Sequence, residues 1–345
     1  MAIEAVSSSA APIKAAIVGI AGPALLAEEA ALFAACPPAG IILFARNIQD
    51  SGQLARLIAA LRQALPPQAE LMVDQEGGRV ARLRPPHWRA HPPPAEFGRL
   101  FDAEPAAGLR AAWLTGALIG LDCRAAGFTI AAAPVLDLSV PGAHDVIGDR
   151  ALASHPAAVA RLGRALANGL LAAGVLPIGK HAPGHGRARV DSHLALPVVP
   201  DNVLGADIRP FVLNADLPWM MTAHIVFPAL DPVVPATLSS VVIADVIRGR
   251  IGFEGVLVTD DLAMKALTGA PADLAARALA AGCDIALYCS GDFPATEALL
   301  RTCSPLTQQA QARLQAAHAR VVASRLTLDG EALAEERAQL LGMAA

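Results

Sequence analysis

The sequence predicts an α/β fold in which eight parallel strands alternate with helices. Three observations carry this reading. Eight short, near-continuous apolar runs recur along the chain, the pattern of strands buried on both faces. Between them lie Ala-, Leu- and Arg-rich stretches with helical period. The 345 residues, 54% of them hydrophobic and only 17% charged, suffice for one large core. Eight strands is the number that closes a (β/α)8 barrel, although an open doubly wound sheet shares the same pattern.

The runs occupy residues 15–20, 41–45, 70–74, 129–133, 175–180, 219–224, 256–260 and 284–289. Segments such as IILFA and VLVTD lack the alternation of a half-exposed strand. One intervening helix spans 51–65, with Asp50 and Ser51 as N-cap candidates and Pro66–Pro67 beyond its end. Another spans 155–174, opening with Ser154 and Pro156 and closing on Gly174. Segments 237–252 and 271–282 repeat the scheme. Residues 84–96 (RPPHWRAHPPPAE) admit neither an interior helix nor a central strand and read as a long loop after the third strand. Residues 306–325 and 330–342 read as closing helices. With no linker or repeat, the chain reads as a single domain over 1–345, its core at about 15–300 and its C-terminal helices at about 305–342.

Composition narrows the function. The net charge of -4, without a basic tract, argues against nucleic acid and anionic membranes as partners. Nine Phe, three Trp and one Tyr are too few for a base-stacking platform. No run of about 18 apolar residues is free of charges or Pro and Gly clusters, so no spanning helix is expected. Glu4 precedes any apolar run and there is no basic leader, so no signal peptide is expected. The five cysteines show no C-x-x-C spacing and fit a reducing, cytoplasmic setting.

In parallel barrels, reactive groups sit at strand C-termini and in the loops that follow. The polar residues here fall there: Asp74 to Arg79 after the third strand, Lys180 and His181 after the fifth, His224 after the sixth, and Thr259-Asp260-Asp261 after the seventh. Internal ion pairs tying the barrel mouth are the bland alternative. KHAPGHGRARVDSH (180–193) is the densest stretch, with three histidines, a lysine and an aspartate on a loop. Asp191 could orient His193 for acid/base work, or His181, His185 and His193 could bind a metal. The metal reading is weakened because the first strand, IVGIAG, lacks the H-x-H pair common in barrel metallohydrolases. Of Asp260 and Asp261, alternation puts at most one toward the barrel axis, as nucleophile or electrostatic stabiliser; the other could cap the next helix. DQEGGRVAR (74–82) offers carboxylates and arginines suited to hydroxyl-rich or charged ligands, and a diglycine turn.

These motifs resemble the single-domain bacterial β-N-acetylglucosaminidases of glycoside hydrolase family 3, the NagZ type. The matching pieces run in family order: ILFARN (42–47), VDQEGGRVAR (73–82), GDR (148–150), GKHAPGHGRARVDSH (179–193), LPVV (196–199) and VTDDLAM (258–264). The resemblance implies a TIM barrel and no metal or organic cofactor. It implies Asp260 as catalytic nucleophile, His193 as general acid/base and Asp191 as the residue tuning it. It implies Asp74, Arg82, Arg150, Lys180 and His181 as sugar contacts. The implied reaction is retaining hydrolysis of terminal β-linked N-acetylglucosamine from cytoplasmic peptidoglycan fragments, N-acetylglucosamine linked to 1,6-anhydro-N-acetylmuramic acid with or without peptide, in cell-wall recycling; a monomer is the default expectation, which no sequence feature decides. The Gly-flanked loop further suggests that His193 swings in after substrate binds. Ala182 replaces an aromatic frequent in the family, and Arg187 and Arg189 also depart from many members. The rival activities are a β-glucosidase or chitobiose hexosaminidase of the same family, a metal-dependent barrel hydrolase, and a non-catalytic sugar-binding protein.

Overall fold

The structure, a computed structural model, describes residues 11–199 and 204–342. The segment around Glu4 lies outside these residues. Eight strands form one sheet: β1 (Lys14–Gly19), β2 (Pro38–Leu43), β3 (Glu70–Val73), β4 (Ile130–Ala131), β5 (Leu176–Ala182), β6 (Trp219–Thr222), β7 (Val256–Val258) and β8 (Ala286–Tyr288). Their order is β7-β6-β5-β4-β3-β2-β1-β8, and every neighbouring pair is parallel. The remaining edges meet through a parallel bridge between Val258 and Ile285, where the Thr259 N–H donates to the Ile285 carbonyl at 3.1 Å. The sheet therefore closes into a (β/α)8 barrel, and the doubly wound alternative falls. All six residues of β2 are buried, as its apolar sequence requires, and so are all seven of β5, Lys180 and His181 included.

Eleven α-helices are present among the described residues: α1 (Ala27–Ala35), α2 (Ser51–Ala64), α3 (Ala95–Ala103), α4 (Pro105–Ala125), α5 (Pro156–Ala173), α6 (Leu204–Asp207), α7 (Arg209–Val212), α8 (Pro271–Ala281), α9 (Phe293–Thr302), α10 (Gln308–Ser324) and α11 (Gly330–Leu341). Asp50 caps α2, its carboxylate accepting from the Gln53 N–H at 2.8 Å. At α5 the cap is His155 rather than Ser154, and Gly174 ends the helix at φ 87°. The Pro-rich stretch is a loop as far as α3, which begins at Ala95.

Segment 237–252 departs from the expected α-helix. It holds a 3-10 turn, Ala236–Leu238, followed by a π-helical stretch, Val242–Arg250. Two side chains hold the start of this segment out of the helix. The Thr237 hydroxyl donates to the Ala223 carbonyl at 3.0 Å, and Ser239 Oγ donates to Asp231 at 2.8 Å. β4 is also shorter than its apolar run, yet the neighbouring ladder persists, with the Ala132 N–H on the Val73 carbonyl at 2.9 Å.

Helix α10 is tied to the N-terminal end of the barrel by His318, whose Nε2 lies 2.5 Å from Glu70 Oε1 at the start of β3. Buried Glu70 also accepts from Thr129 Oγ1 at 2.5 Å. The hydrogen bond to Glu70 raises the His318 pKa, against partial desolvation. A raised folded pKa stabilises fully below the unfolded value of about 6.5 and loses that contribution as pH rises through the folded value. The side chain is 44% exposed, so solvent screening holds its worth to about 1 kcal/mol or less. Urea unfolding at about pH 6 and pH 8.5 should show this loss in wild type and a flatter response in His318→Gln; equal pH dependence in both proteins would contradict it.

Candidate active site

The C-terminal end of β3 runs into residues 74–82. Gln75, fully buried, closes this loop: its Oε1 accepts from the N–H groups of Arg82 and Leu83 at 2.8 and 3.0 Å, and its Nε2 donates to the Leu83 carbonyl at 2.9 Å. Gly77 sits at φ 105°, and a Cβ there would stand 2.4 Å from the Pro92 carbonyl oxygen. The diglycine thus lets the loop press against the Pro-rich segment and turn Asp74, Glu76 and Arg82 into one pocket.

Lys180, at the end of β5, reaches both carboxylates of this loop. Its Nζ is 3.1 Å from Asp74 Oδ1 and 2.6 Å from Glu76 Oε1. Arg150 grips Glu76 with two hydrogen bonds of 2.8 and 2.9 Å, and Arg82 lies 3.2 Å from Asp74 Oδ2. Burial opposes charge on Glu76, but Arg150 and Lys180 hold its pKa well below the carboxylate range. Burial likewise opposes charge on Lys180, and Asp74 and Glu76 overcome it and raise its pKa.

His181, next in sequence, is held by Asp137. The carboxylate accepts from His181 Nδ1 at 2.6 Å, and its other oxygen accepts from the His185 N–H at 2.6 Å. This arrangement puts the proton on Nδ1 of His181, because a carboxylate only accepts. Burial works against ionisation of Asp137, yet the adjacent histidines lower its pKa.

Asp260 follows β7 and lines the same pocket. Its Oδ1 accepts from the Asp261 N–H at 2.8 Å. Desolvation opposes the carboxylate, but His181, His224 and this N–H bring its pKa down to about 2. Asp261 also borders the pocket, so strict alternation does not extend past the end of β7. Asp261 has a structural job of a different kind from the helix cap expected. Its Oδ1 accepts from Ala263 N–H and Cys289 N–H, both at 2.9 Å, fixing the turn after β7 to the end of β8, while the next helix, α8, starts only at Pro271. His224 Nε2 donates to the Asp261 carbonyl at 2.9 Å and supports that turn from β6.

On the loop after β5, His193 Nδ1 and its own backbone N–H both donate to Asp191 Oδ1 at 2.8 Å. Asp191 therefore fixes the tautomer and leaves His193 Nε2 facing outward from the pair. The imidazole is 61% exposed, in contrast to the buried groups opposite. Desolvation works against the Asp191 carboxylate, but the hydrogen bonds from His193 lower its pKa.

Asp74, Arg82, Arg150, Lys180, His181, His193 and Asp260 all line one cavity of about 140 Å³, and Asp191 adjoins it through His193. The three histidines considered as metal ligands turn to separate partners, His181 to Asp137, His185 to Ser192 and His193 to Asp191. Among the described residues no three of His, Cys, Asp or Glu are grouped to hold a metal ion. Sequence reasoning gave Glu76 no individual role and passed over Asp137 and Ser192. Asp137 carried a readable signal, since it follows the apolar run APVL as the other site residues follow theirs. Of the departures noted, Arg187 pairs with Asp207 at 2.8 Å, while Ala182 is buried within β5.

The profile of the glycosyl hydrolase family 3 N-terminal domain matches residues 17–324. The chain belongs to glycosyl hydrolase family 3. A β-hexosaminidase of Alkalilimnicola ehrlichii is 39% identical over 94% of this chain and 95% of its own length. One of Aromatoleum aromaticum is 37% identical over 90% and 88%. The crystal structure of NagZ from Neisseria gonorrhoeae in complex with N-trifluoroacetyl-D-glucosamine superposes with a TM-score of 0.84, at 34% identity, covering 96% of this chain and 98% of that one. This member of family 3 is a glycoside hydrolase of the β-N-acetylhexosaminidase class. Among the described residues, no helix is long and apolar enough to cross a membrane.

Glu76→Gln leaves Arg150 and Lys180 buried with one countercharge removed, and should cost about 3 kcal/mol of stability. Because the Glu76 pKa is depressed on folding, its contribution is present above the unfolded carboxyl pKa of about 4.3 and lost as pH falls. Denaturant titrations should therefore show the gap between the two proteins constant above about pH 5 and narrowing as pH falls below about 4, without closing while Glu76 stays ionised in the folded protein. A variant as stable as wild type at pH 7 would contradict the role given to Glu76.

Proposed function

We propose that this enzyme is a retaining exo-β-N-acetylglucosaminidase that releases terminal β-linked N-acetylglucosamine from peptidoglycan fragments. The observation that carries the reading is the placing of Asp260, fully ionised at neutral pH, in the same cavity as the tautomer-fixed His193. Asp260 attacks the anomeric carbon while His193 protonates the departing glycosidic oxygen through Nε2. The covalent glycosyl-enzyme is then opened by water, from which His193 removes the proton. Most glycosidases give this second role to a carboxylic acid. An imidazole can replace it because its unperturbed pKa, about 6.5, already lies near working pH. Asp191 keeps Nδ1 protonated and stabilises the imidazolium.

Asp74, Arg82, Arg150, Lys180 and His181 form the sugar-binding floor. The ring of ion pairs supports this, because it fixes each polar group before any ligand arrives. The similarity to the gonococcal protein, solved with an N-acetylglucosamine analogue, supports the acetamido sugar over glucose. The whole chain acts as one domain and a monomer, in the cytoplasm, on fragments of N-acetylglucosamine linked to 1,6-anhydro-N-acetylmuramic acid, within cell-wall recycling.

A chromogenic β-N-acetylglucosaminide, with the matching β-glucoside as control, tests the reading. Only the acetamido sugar should be cleaved. His193→Ala should lower kcat by about 10²- to 10⁴-fold, the usual worth of a general acid/base. Asp260→Ala should abolish turnover. With the Asp260 pKa near 2, activity should hold on the acidic side well below pH 5 as far as the nucleophile is concerned. Equal cleavage of both glycosides, or full activity in Asp260→Ala, would overturn the assignment.

A further inference from the structure

Between half-buried Asp191 and exposed His193 lies Ser192, which is only 2% exposed. Its hydroxyl is 2.9 Å from Nε2 of His185, itself 2% exposed. Its carbonyl accepts from the Ala266 N–H at 3.2 Å, on the loop that follows Asp260 and Asp261. One small residue thus ties the dyad to two different parts of the barrel mouth.

His185 is built as a fixed post. Its backbone N–H donates to Asp137 Oδ1 at 2.6 Å, the same carboxylate that holds His181. The next residue, Gly186, lies so close to β4's following loop that a Cβ would stand 2.1 Å from the Leu138 carbonyl oxygen. Two residues further on, the Ala188 carbonyl accepts from the His144 N–H at 2.8 Å. Burial, together with the neighbouring His181, lowers the His185 pKa to about 4, so the ring is neutral at working pH and can serve as a hydrogen-bonding partner without carrying charge. From Arg189 to Asp191, by contrast, the chain is exposed or half-buried.

We propose that Ser192 and His185 are positioning residues for the acid/base pair: their hydrogen bond fixes Asp191 and His193 at the height above Asp260 that proton transfer to the leaving group requires. The proposal rests on His193 being the acid/base. It differs from a role in stability, because it predicts a loss confined to steps that need a proton. Proton transfer demands heavy-atom distances of about 2.6–3.2 Å, so a loop released by even an ångström loses it, while sugar binding and nucleophilic attack remain.

The test compares kcat/KM for two N-acetylglucosaminides in the full-length enzyme. Chitobiose has a sugar leaving group that must be protonated, and the 2,4-dinitrophenyl glycoside has one that leaves unaided. Ser192→Ala should lower kcat/KM on chitobiose about tenfold or more, within the worth of general acid catalysis, and leave the dinitrophenyl glycoside within about threefold of wild type. His185→Ala should behave alike. His185→Gln, whose amide can take the place of Nε2, should recover most of the chitobiose rate. His193→Ala is the control that reads the underlying assignment. If His193→Ala shows the leaving-group-dependent loss and Ser192→Ala loses nothing, or loses both substrates equally, the positioning role is overturned and the acid/base assignment stands. If His193→Ala shows no such dependence, the assignment fails and the proposal with it.

Discussion

The site depends on a knot of buried charge. Two carboxylates from one loop, Asp74 and Glu76, face Lys180 from β5, Arg150 from the loop after β4 and Arg82 from their own loop. Each ion taken singly would cost several kcal/mol to remove from water. Together they are mutually satisfied, and the cost of breaking any one pair falls on the others. Such a knot is poor value as stability, because a hydrophobic replacement could serve as well. Its use lies in fixing polar groups at the mouth of a barrel whose strands supply mostly apolar side chains. The long loop after β3 must therefore fold in one way, and the buried amide of Gln75 and the two glycines secure it.

The opposite side of the cavity is built otherwise. Asp260 sits at the end of β7 on a turn braced by Asp261 and His224, with no freedom to move far. The Asp191–His193 pair rides on the loop after β5, with its imidazole largely in solvent. A floor of paired ions, a braced carboxylate and a peripheral imidazole form an arrangement that fits the two-step displacement proposed above. In that proposal all three are pre-organised, the imidazole through the hydrogen bonds that hold the Asp191–His193 pair to its loop. Asp137 links the two regimes, since one carboxylate orients His181 in the floor and anchors His185 at the root of the loop.

Much of this was readable from residue order. The eight apolar runs identify all eight strands, and the clustering of polar residues at their C-terminal ends marks the site, because a buried charge needs partners and those loops supply them. VTDD and KHAPGHGRARVDSH were legible from their place after apolar runs and their density of polar groups, while the choice among roles came from resemblance. Spacing could not choose between Asp260 and Asp261, because the pleat ends at Val258 and both side chains border the cavity. Segment 237–252 carries helical periodicity, but Thr237 and Ser239 are drawn into contacts with Ala223 and Asp231, which only the closed barrel brings near. Asp137 carried the same strand-end signal as the other site residues, since it follows the apolar run APVL; Ser192 did not, because a single buried hydroxyl leaves no periodic trace in a sequence.

The most direct test of the central chemistry is to trap the covalent intermediate. A 5-fluoro-N-acetylglucosaminyl fluoride slows both steps but releases a good leaving group, so a glycosyl-enzyme should accumulate and be visible by mass spectrometry of the intact chain. Peptide mapping should then place a single label on Asp260, within VTDDLAM. A label on Asp261 would mean that the wrong carboxylate has been identified as nucleophile. Turnover of the reagent with no adduct, and inversion at the anomeric carbon by NMR, would contradict a covalent mechanism altogether.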